Sequence, residues 1–315
     1  MKIIILDSIT LGNDVDLSPI YGVGEVTEYA STSPSELCER IKDAEIIVVN
    51  KIKLGEAQLS SATSLRLICV TATGYDNIDV NYCQSRGIAL CNVPAYSTDS
   101  VAQVSAAMVL SLVCRLNEYT AFVNSGEYTA SGVANKLTPV YREISSMTWG
   151  IVGGGAIGTR VAEIASALGA RVLICRRKPD TRYEKATIDK LCAEADIISL
   201  HIPLTEETKG LLSRERIEKM KQSAIVINTA RGAVVDEEAL TEAIEEERIG
   251  GIGVDVYSTE PFTQSHPYNR ILGRNNVILT PHMAWGAAEA RDRCVRIIAN
   301  NILCFIDQKS VNRIV

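Results

Sequence analysis

Short β-branched runs alternate with helical patterns along the whole chain. In the first third, residues 2–6, Ile46–Val49, Leu67–Val70 and Ala89–Cys91 predict strands, with a helix over Pro34–Ile41. From residue 100 to residue 123 the pattern predicts one long helix with Ser100 as its N-cap. That stretch is apolar on almost every face, which predicts burial at a domain or subunit contact. A second series starts at Trp149, with strands at 150–152, Arg171–Cys175, Ile197–Leu200, 224–228, Gly251–Val254 and Val277–Leu279. Helical patterns at 156–168 and 237–247 fall between them, and a last helix is predicted over 287–305. The strands read as continuous apolar runs, as strands buried on both faces do. Alternating β and α elements predict parallel sheets covered by helices on both sides.

Composition narrows the function classes. A chain of 315 residues, 46% hydrophobic, is long enough for about two domains. The net charge of −6 and the scattered basic residues argue against a polyanionic partner. The one basic run is Arg176, Arg177 and Lys178. Nine dispersed cysteines, with no C-x-x-C pair, fit a reducing compartment better than a disulfide framework. The N-terminal apolar run stops at Asp7, too early for a signal peptide, and residues 101–114 are too short and too polar for a membrane span. A cytoplasmic protein is the expectation.

The chemistry begins at Trp149-Gly-Ile-Val-Gly-Gly-Gly-Ala-Ile-Gly158, where Gly153, Gly155 and Gly158 form G-x-G-x-x-G between a strand and a helix. Gly153 suits the tight turn, Gly155 the approach of a pyrophosphate, and Gly158 close packing of helix on strand. The helix N-terminus offers N–H groups to phosphates. At the end of the next strand, where NAD enzymes carry an acidic residue for the ribose hydroxyls, the chain reads Ile174-Cys-Arg-Arg-Lys178. No carboxylate occurs until Asp180. Arg176 and Arg177 are placed to pair with a 2′-phosphate, so NADP(H) is the favoured cofactor and NAD(H) a possible one.

Three polar residues follow the carboxyl ends of later strands: Arg231 after 224–228, Glu260 after Gly251–Val254 and His282 after Val277–Leu279. Ligands of open α/β sheets bind at that edge. An arginine can hold a carboxylate and polarise a carbonyl, and a histidine is the natural acid–base near neutral pH. A carboxylate beside the ring favours its protonated form. Together with the fingerprint, these residues predict hydride transfer to or from C2 of a small 2-hydroxy acid.

The same residues carry a resemblance to the D-isomer-specific 2-hydroxyacid dehydrogenases over nearly the full length. It rests on Ala72-Thr-Gly-Tyr-Asp-Asn-Ile-Asp79, Asn92-Val-Pro-Ala-Tyr-Ser-Thr98 with Val101-Ala-Gln103, the glycine fingerprint, and His201-Ile-Pro-Leu-Thr-Glu-Glu-Thr208. Asn228-Thr-Ala-Arg-Gly232 with Val235-Asp236, Asp255 to Pro261, and Thr280-Pro-His282 complete it. Ala72-Thr-Gly-Tyr75 with Pro281-His-Met-Ala-Trp285 further resembles hydroxypyruvate reductases, also called glycerate dehydrogenases.

The resemblance implies a catalytic triad of Arg231 as substrate anchor, His282 as proton donor or acceptor and Glu260 as its orienting partner. It implies cofactor contacts from Ala156 and Ile157 to the pyrophosphate, from Thr229, Ala230 and Asp255 at the nicotinamide end, and from His201, Pro203 and Thr208 beside the dinucleotide. Thr73 and Gly74 would bind the substrate carboxylate, and Trp285 would cap its side chain. Two departures stand out: Ala156 replaces an arginine common in relatives, and Arg176 replaces the usual acidic residue.

The implied architecture is α/β: two Rossmann-like, doubly wound parallel-sheet domains with a cleft between them. Residues 1–98 plus 287–315 would form a discontinuous substrate domain, and 99–286 the dinucleotide domain. A homodimer on the long helix is implied, with no regulatory domain after residue 315. His201 and His266 lack partners at metal-ligand spacing, so no metal is expected; His266 reads as a turn residue in a polar loop. Lys51 and Lys53 are weighed as contacts to a phosphorylated acid such as phosphoglycerate. A bulkier 2-keto acid, or a non-catalytic dinucleotide-sensing corepressor, are the other readings; intact Arg231, Glu260 and His282 argue against a pure sensor.

Overall fold

The computed structural model describes residues 1–177 and 182–315; Lys178 and Asp180 of the cofactor turn lie outside them. The chain divides into two compact units, Met1–Ser97 with Gly286–Val315, and Thr98–Trp285.

The first unit holds strands β1 (Lys2–Ile5), β2 (Glu25–Glu28), β3 (Ile46–Val49), β4 (Leu67–Val70) and β5 (Ala89–Cys91). They form one parallel sheet in the order β2-β1-β3-β4-β5. Helices α1 (Ser18–Tyr21), α2 (Pro34–Ile41), α3 (Glu56–Leu59) and α4 (Val80–Arg86) connect them. The chain leaves β1 towards β2 and then returns past it to β3, which makes the β1/β3 boundary the switch point of this sheet. There the buried Asp7 side chain accepts from the backbone N–H of Asn50 at 2.9 Å and of Lys51 at 2.7 Å. Burial raises its carboxyl above the ordinary carboxylate range, against the pull of these bonds.

The second unit opens with α5 (Thr98–Val113), α6 (Leu116–Asn124) and α7 (Glu127–Ser131). Its strands are β6 (Thr148–Val152), β7 (Arg171–Cys175), β8 (Glu184–Lys185), β9 (Ile197–Leu200), β10 (Ile225–Asn228), β11 (Gly251–Val254) and β12 (Val277–Leu279). All pair in parallel, in the order β12-β11-β10-β9-β6-β7-β8, with the switch point between β6 and β9. Helices α8 (Ala156–Ala167), α9 (Ile188–Glu194), α10 (Arg214–Glu218) and α11 (Glu237–Glu245) cover the sheet. One face packs Trp149, Ile151, Ile197 and Ile227 against Met108, Val109 and Val161. The other packs Val152, Ile198, Val226 and Val254 against Leu191, Leu240 and Ile244. The apolar runs of the strands thus have cover on both faces. The final helix, α12 (Ala288–Ile306), belongs to the first unit; its Asn301 donates to the carbonyl of Asn92 at 3.0 Å.

The structure departs from the hydrophobic pattern in three places. The single helix predicted over 100–123 is two helices. It starts at Thr98, so Ser100 lies inside α5 rather than capping it, and the Ser100 hydroxyl donates to the Ala284 carbonyl. It breaks at Arg115, which adopts a left-handed φ of +53° and pairs with Glu118. Burial also divides there: α5 is largely buried, whereas α6 buries no residue within the unit. The strands β2 and β8 were not predicted; both lie at sheet edges and are rich in charged residues. Among the described residues no single helix is long and apolar enough to cross a membrane. Only α5 and α6 together reach that length and composition, and they are bent by 63°.

Candidate active site

The glycine fingerprint occupies the switch point of the seven-stranded sheet, at the carboxyl end of β6. Gly153 has φ +108°, and a Cβ there would overlap the His201 carbonyl at the end of neighbouring β9. A Cβ on Gly158 would overlap the Gly153 carbonyl oxygen, while above Gly155 there is open space. These are the three conditions under which only glycine keeps the turn tight, the helix close and the backbone approachable. No side chain caps α8 at Gly155, so the N–H groups of its first turn, Ala156 and Ile157 among them, are left for an anion.

His201 adds a second sign of a polar ligand. Both of its ring nitrogens are buried without a hydrogen-bond partner. Buried polar atoms are seldom left so. Burial pushes the ring down to about 3, so it stays neutral and can offer one N–H and one lone pair. The residues present therefore fit a dinucleotide phosphate group.

At the end of β7, the Arg176 side chain crosses the fingerprint turn: its Cδ is 2.7 Å from where a Cβ on Gly154 would stand. Arg177 instead forms an exposed ion pair with Glu207, on the loop after β9. Within that loop the Thr208 hydroxyl donates to the Pro203 carbonyl and accepts from Thr205 N–H, each at 2.7 Å. Thr208 thus closes its own turn, and Pro203 is exposed beside it.

The expected catalytic side chains follow β10, β11 and β12, three consecutive strands of the sheet. After β10, buried Asn228 shapes the Thr229–Ala230–Arg231 turn: its amide donates to the Arg231 carbonyl at 3.0 Å and accepts from Ala230 N–H at 3.1 Å. The Thr229 hydroxyl lies 3.0 Å from that of Ser105, on α5. The Arg231 guanidinium donates to the Ala230 carbonyl at 2.8 Å and is half-buried.

His282 has a left-handed φ of +54°, a strained conformation for a bulky residue that costs ~1–3 kcal/mol. Asp255 holds it there. One carboxylate oxygen accepts from the Thr280 hydroxyl at 2.6 Å and Met283 N–H at 2.9 Å, and the other from Ala284 N–H at 2.9 Å. Asp255 is buried and bonded on both sides of His282, so in this structure it braces the loop. Glu260 completes the arrangement: Oε1 accepts from Tyr257 N–H at 3.0 Å, and Oε2 lies 2.6 Å from His282 Nδ1. Trp285, one residue past the braced loop, is partly buried.

In the first unit, Thr73 and Gly74 form the turn after β4. The Thr73 hydroxyl donates to the Val93 carbonyl at 2.8 Å, and the Asn92 amide donates to the Thr73 carbonyl at 2.7 Å. Lys51 and Lys53 are exposed after β3.

His266 lies in the loop before Pro267, as the sequence suggests, but it is buried there, with Nε2 3.1 Å from the equally buried Glu237 carboxylate. Sequence reasoning passed over Asn228, Glu237 and Ser258. A short polar residue ending an apolar strand was the available signal for Asn228; for Glu237 and Ser258 the sequence carries none. Among the described residues no group of three or more His, Cys, Asp or Glu side chains is arranged to hold a metal ion.

Residues 106–284 match the model of the D-isomer specific 2-hydroxyacid dehydrogenase, NAD binding domain. A hydroxypyruvate reductase of Blautia hydrogenotrophica is 33% identical over 99% of both chains. Among solved structures, the acyclic imino acid reductase Bsp5, in complex with NADPH and D-Arg, superposes with a TM-score of 0.87 at 29% identity over 100% of both chains. D-lactate dehydrogenase from Aquifex aeolicus, complexed with NAD and lactic acid, gives 0.86 at 29% identity, covering 98% of this chain and 96% of that one.

Proposed function

Because the chain belongs to the D-isomer specific 2-hydroxyacid dehydrogenase family of NAD(P)-dependent oxidoreductases, we propose that it interconverts a small 2-keto acid, hydroxypyruvate or glyoxylate, with its 2-hydroxy acid. The observation that carries this reading is the Glu260–His282 pair, set beside the Arg231 turn on consecutive strand ends.

A nicotinamide dinucleotide held at the glycine turn by Ala156 and Ile157 would supply the hydride for C2. Arg231 holds the substrate carboxylate and draws electron density from the carbonyl. His282 keeps a proton on Nδ1, facing Glu260, and gives the proton on Nε2 to the oxygen that takes up charge. Glu260 holds the ring in that orientation and offsets its charge. Keto acid, reduced dinucleotide and one proton thus become hydroxy acid and oxidised dinucleotide; the reverse reaction returns the proton to His282.

Ala156, Ile157 and the glycines Gly153, Gly155 and Gly158 are assigned to the pyrophosphate, and Thr229 and Ala230 to the nicotinamide end. Thr73, Gly74 and Trp285 are assigned to the substrate. NADP(H) is the proposed preference, supported by Arg176 lying across the fingerprint turn and by a sequence with no carboxylate between β7 and Asp180. A homodimer is proposed as well. Its support is the run of exposed apolar side chains after α5, including Val133, Leu137 (74% exposed) and Val140 (76%). Nine free cysteines suit a reducing compartment such as the cytoplasm.

The test is a panel of 2-keto acids, hydroxypyruvate and glyoxylate among them, against NADPH and NADH. Turnover of neither acid with either dinucleotide would overturn the reading.

A further inference from the structure

We infer that Glu237 and His266 form a buried positioning pair that fixes the geometry of Glu260 and His282 through Ser258. The inference rests on the reading of Glu260 and His282 as the acid–base pair.

Glu237 is the first residue of α11, directly after the N-cap Asp236, yet its carboxylate is buried. A carboxylate is retained in such a place only where it is paired or fully hydrogen-bonded. Its partners are specific. Oε1 accepts from Ser258 N–H at 3.0 Å. Oε2 accepts from the Ser258 hydroxyl and lies 3.1 Å from His266 Nε2. On the other side of the imidazole, Nδ1 accepts from Tyr268 N–H at 3.3 Å. That bond assigns the ring hydrogen to Nε2, so His266 donates to Glu237. The rings of Tyr257, Phe262 and Tyr268 close round the pair, with centroids 6.0, 4.9 and 5.0 Å from the imidazole.

Ser258 is a pivot. Its peptide presses on Gly232: a Cβ there would overlap Tyr257 C and Ser258 N. Gly232 follows Arg231, so the anchored peptide also bears on the arginine turn. One residue before the pivot, Tyr257 N–H takes Glu260 Oε1 and its hydroxyl donates to the Thr280 carbonyl at 2.8 Å. Two residues after it, Glu260 presents its second oxygen to His282. Ser258, Thr259 and Glu260 are themselves exposed, so the loop that carries the carboxylate runs over the surface. The buried bonds from Glu237 anchor that loop from below, at Ser258. Neither Glu237 nor His266 touches the reacting atoms; both act through the loop.

The experiment measures kcat and KM against pH for hydroxypyruvate reduction in the wild type and in Glu237→Gln, Glu260→Gln and the double variant. Glu237→Gln replaces one acceptor by a donor without changing shape, so either Ser258 N–H or His266 Nε2–H loses its acceptor. The expected result is a fall in kcat of about 10-fold, unchanged KM for the dinucleotide, and loss of activity at lower pH on the basic limb. The double variant should be little worse than Glu260→Gln alone, because both changes break one linkage. Ser258→Ala, which removes only an exposed residue's hydroxyl, should move the limb in the same direction by less, and it serves if Glu237→Gln fails to fold.

An unmoved basic limb in folded Glu237→Gln, or failing that in Ser258→Ala, overturns the inference. So does a double variant whose losses multiply. If Glu260→Gln itself leaves the limb unmoved, the acid–base reading has failed instead.

Discussion

Glu260 Oε2 stands 2.6 Å from His282 Nδ1, and the two side chains come from loops after neighbouring strands. The contact fixes which ring nitrogen is turned away from Glu260 and puts a negative charge beside the ring. Glu260→Gln keeps the shape and removes that charge. Protonated imidazole is then less favoured. Since keto-acid reduction needs the protonated ring, activity should fall away at lower pH than in the wild type. A pH series of kcat/KM in the reductive direction reads this directly; superimposable basic limbs would separate Glu260 from proton transfer.

Arg231→Lys keeps a positive charge but not the forked donor. The lysine cannot hold a carboxylate by two parallel bonds while polarising the adjacent carbonyl. A loss of about 10²-fold or more in kcat/KM is expected. Dinucleotide affinity, measured by titration of the folded variant, should stay within a few fold, since the fingerprint is untouched. Near-normal turnover would remove Arg231 from the mechanism.

The proposed preference for NADP(H) turns on Arg176 and Arg177. Well-formed bonds from guanidinium to phosphate are discounted at an exposed strand end, leaving a preference for NADPH of roughly 5- to 150-fold. Arg176→Asp should reverse it, because a carboxylate repels the phosphate and accepts from the ribose hydroxyls. The Arg177–Glu207 ion pair adds a finer expectation. Glu207→Gln releases Arg177 from its competitor and should raise the NADPH preference a few fold. Ratios of kcat/KM at low salt decide both, and a wild type that prefers NADH tenfold refutes the assignment.

His201 makes a prediction about stability. Burial holds the folded ring down to about 3, against an ordinary value near 6.5. The unfolded chain therefore takes up the proton first as pH falls. The neutral ring costs nothing above pH ~6.5 and progressively destabilises the fold between there and about 3, by up to about 1.4 kcal/mol per pH unit. Urea unfolding of the protein without dinucleotide, at pH 7, 6 and 5, should show His201→Gln losing less stability with acid than the wild type. Parallel pH slopes would rule out the buried neutral ring.

What could be read from the sequence follows from what kind of constraint each residue obeys. Gly153 and Gly158 were legible because steric overlap leaves no other side chain at those places. The central strands were legible because both of their faces are covered by apolar side chains. The edge strand Glu25–Glu28 was not, since half of its residues are charged. Arg115 gave no warning of a helix break; no glycine or proline marks it, and the apolar pattern runs on into a helix that its own unit leaves uncovered. Nor did spacing link Asp255 to His282, or Glu237 to Ser258. Those bonds join separate segments far apart in sequence, and an acidic residue after a strand looks alike whether it faces a cofactor or braces a turn.

The chain builds the same kind of architecture twice, and each sheet reverses its winding next to its first strand. Such a place, with backbone N–H groups converging at strand ends, invites an anion. In the seven-stranded sheet the invitation stays open above Gly155. In the five-stranded sheet a carboxylate of the chain itself, that of Asp7, sits at this place, on Asn50 and Lys51 N–H. The protein carries a tethered counter-ion in one half. That makes the halves chemically unequal despite their common winding: one switch point keeps a carboxylate of the chain itself, the other keeps its backbone bare.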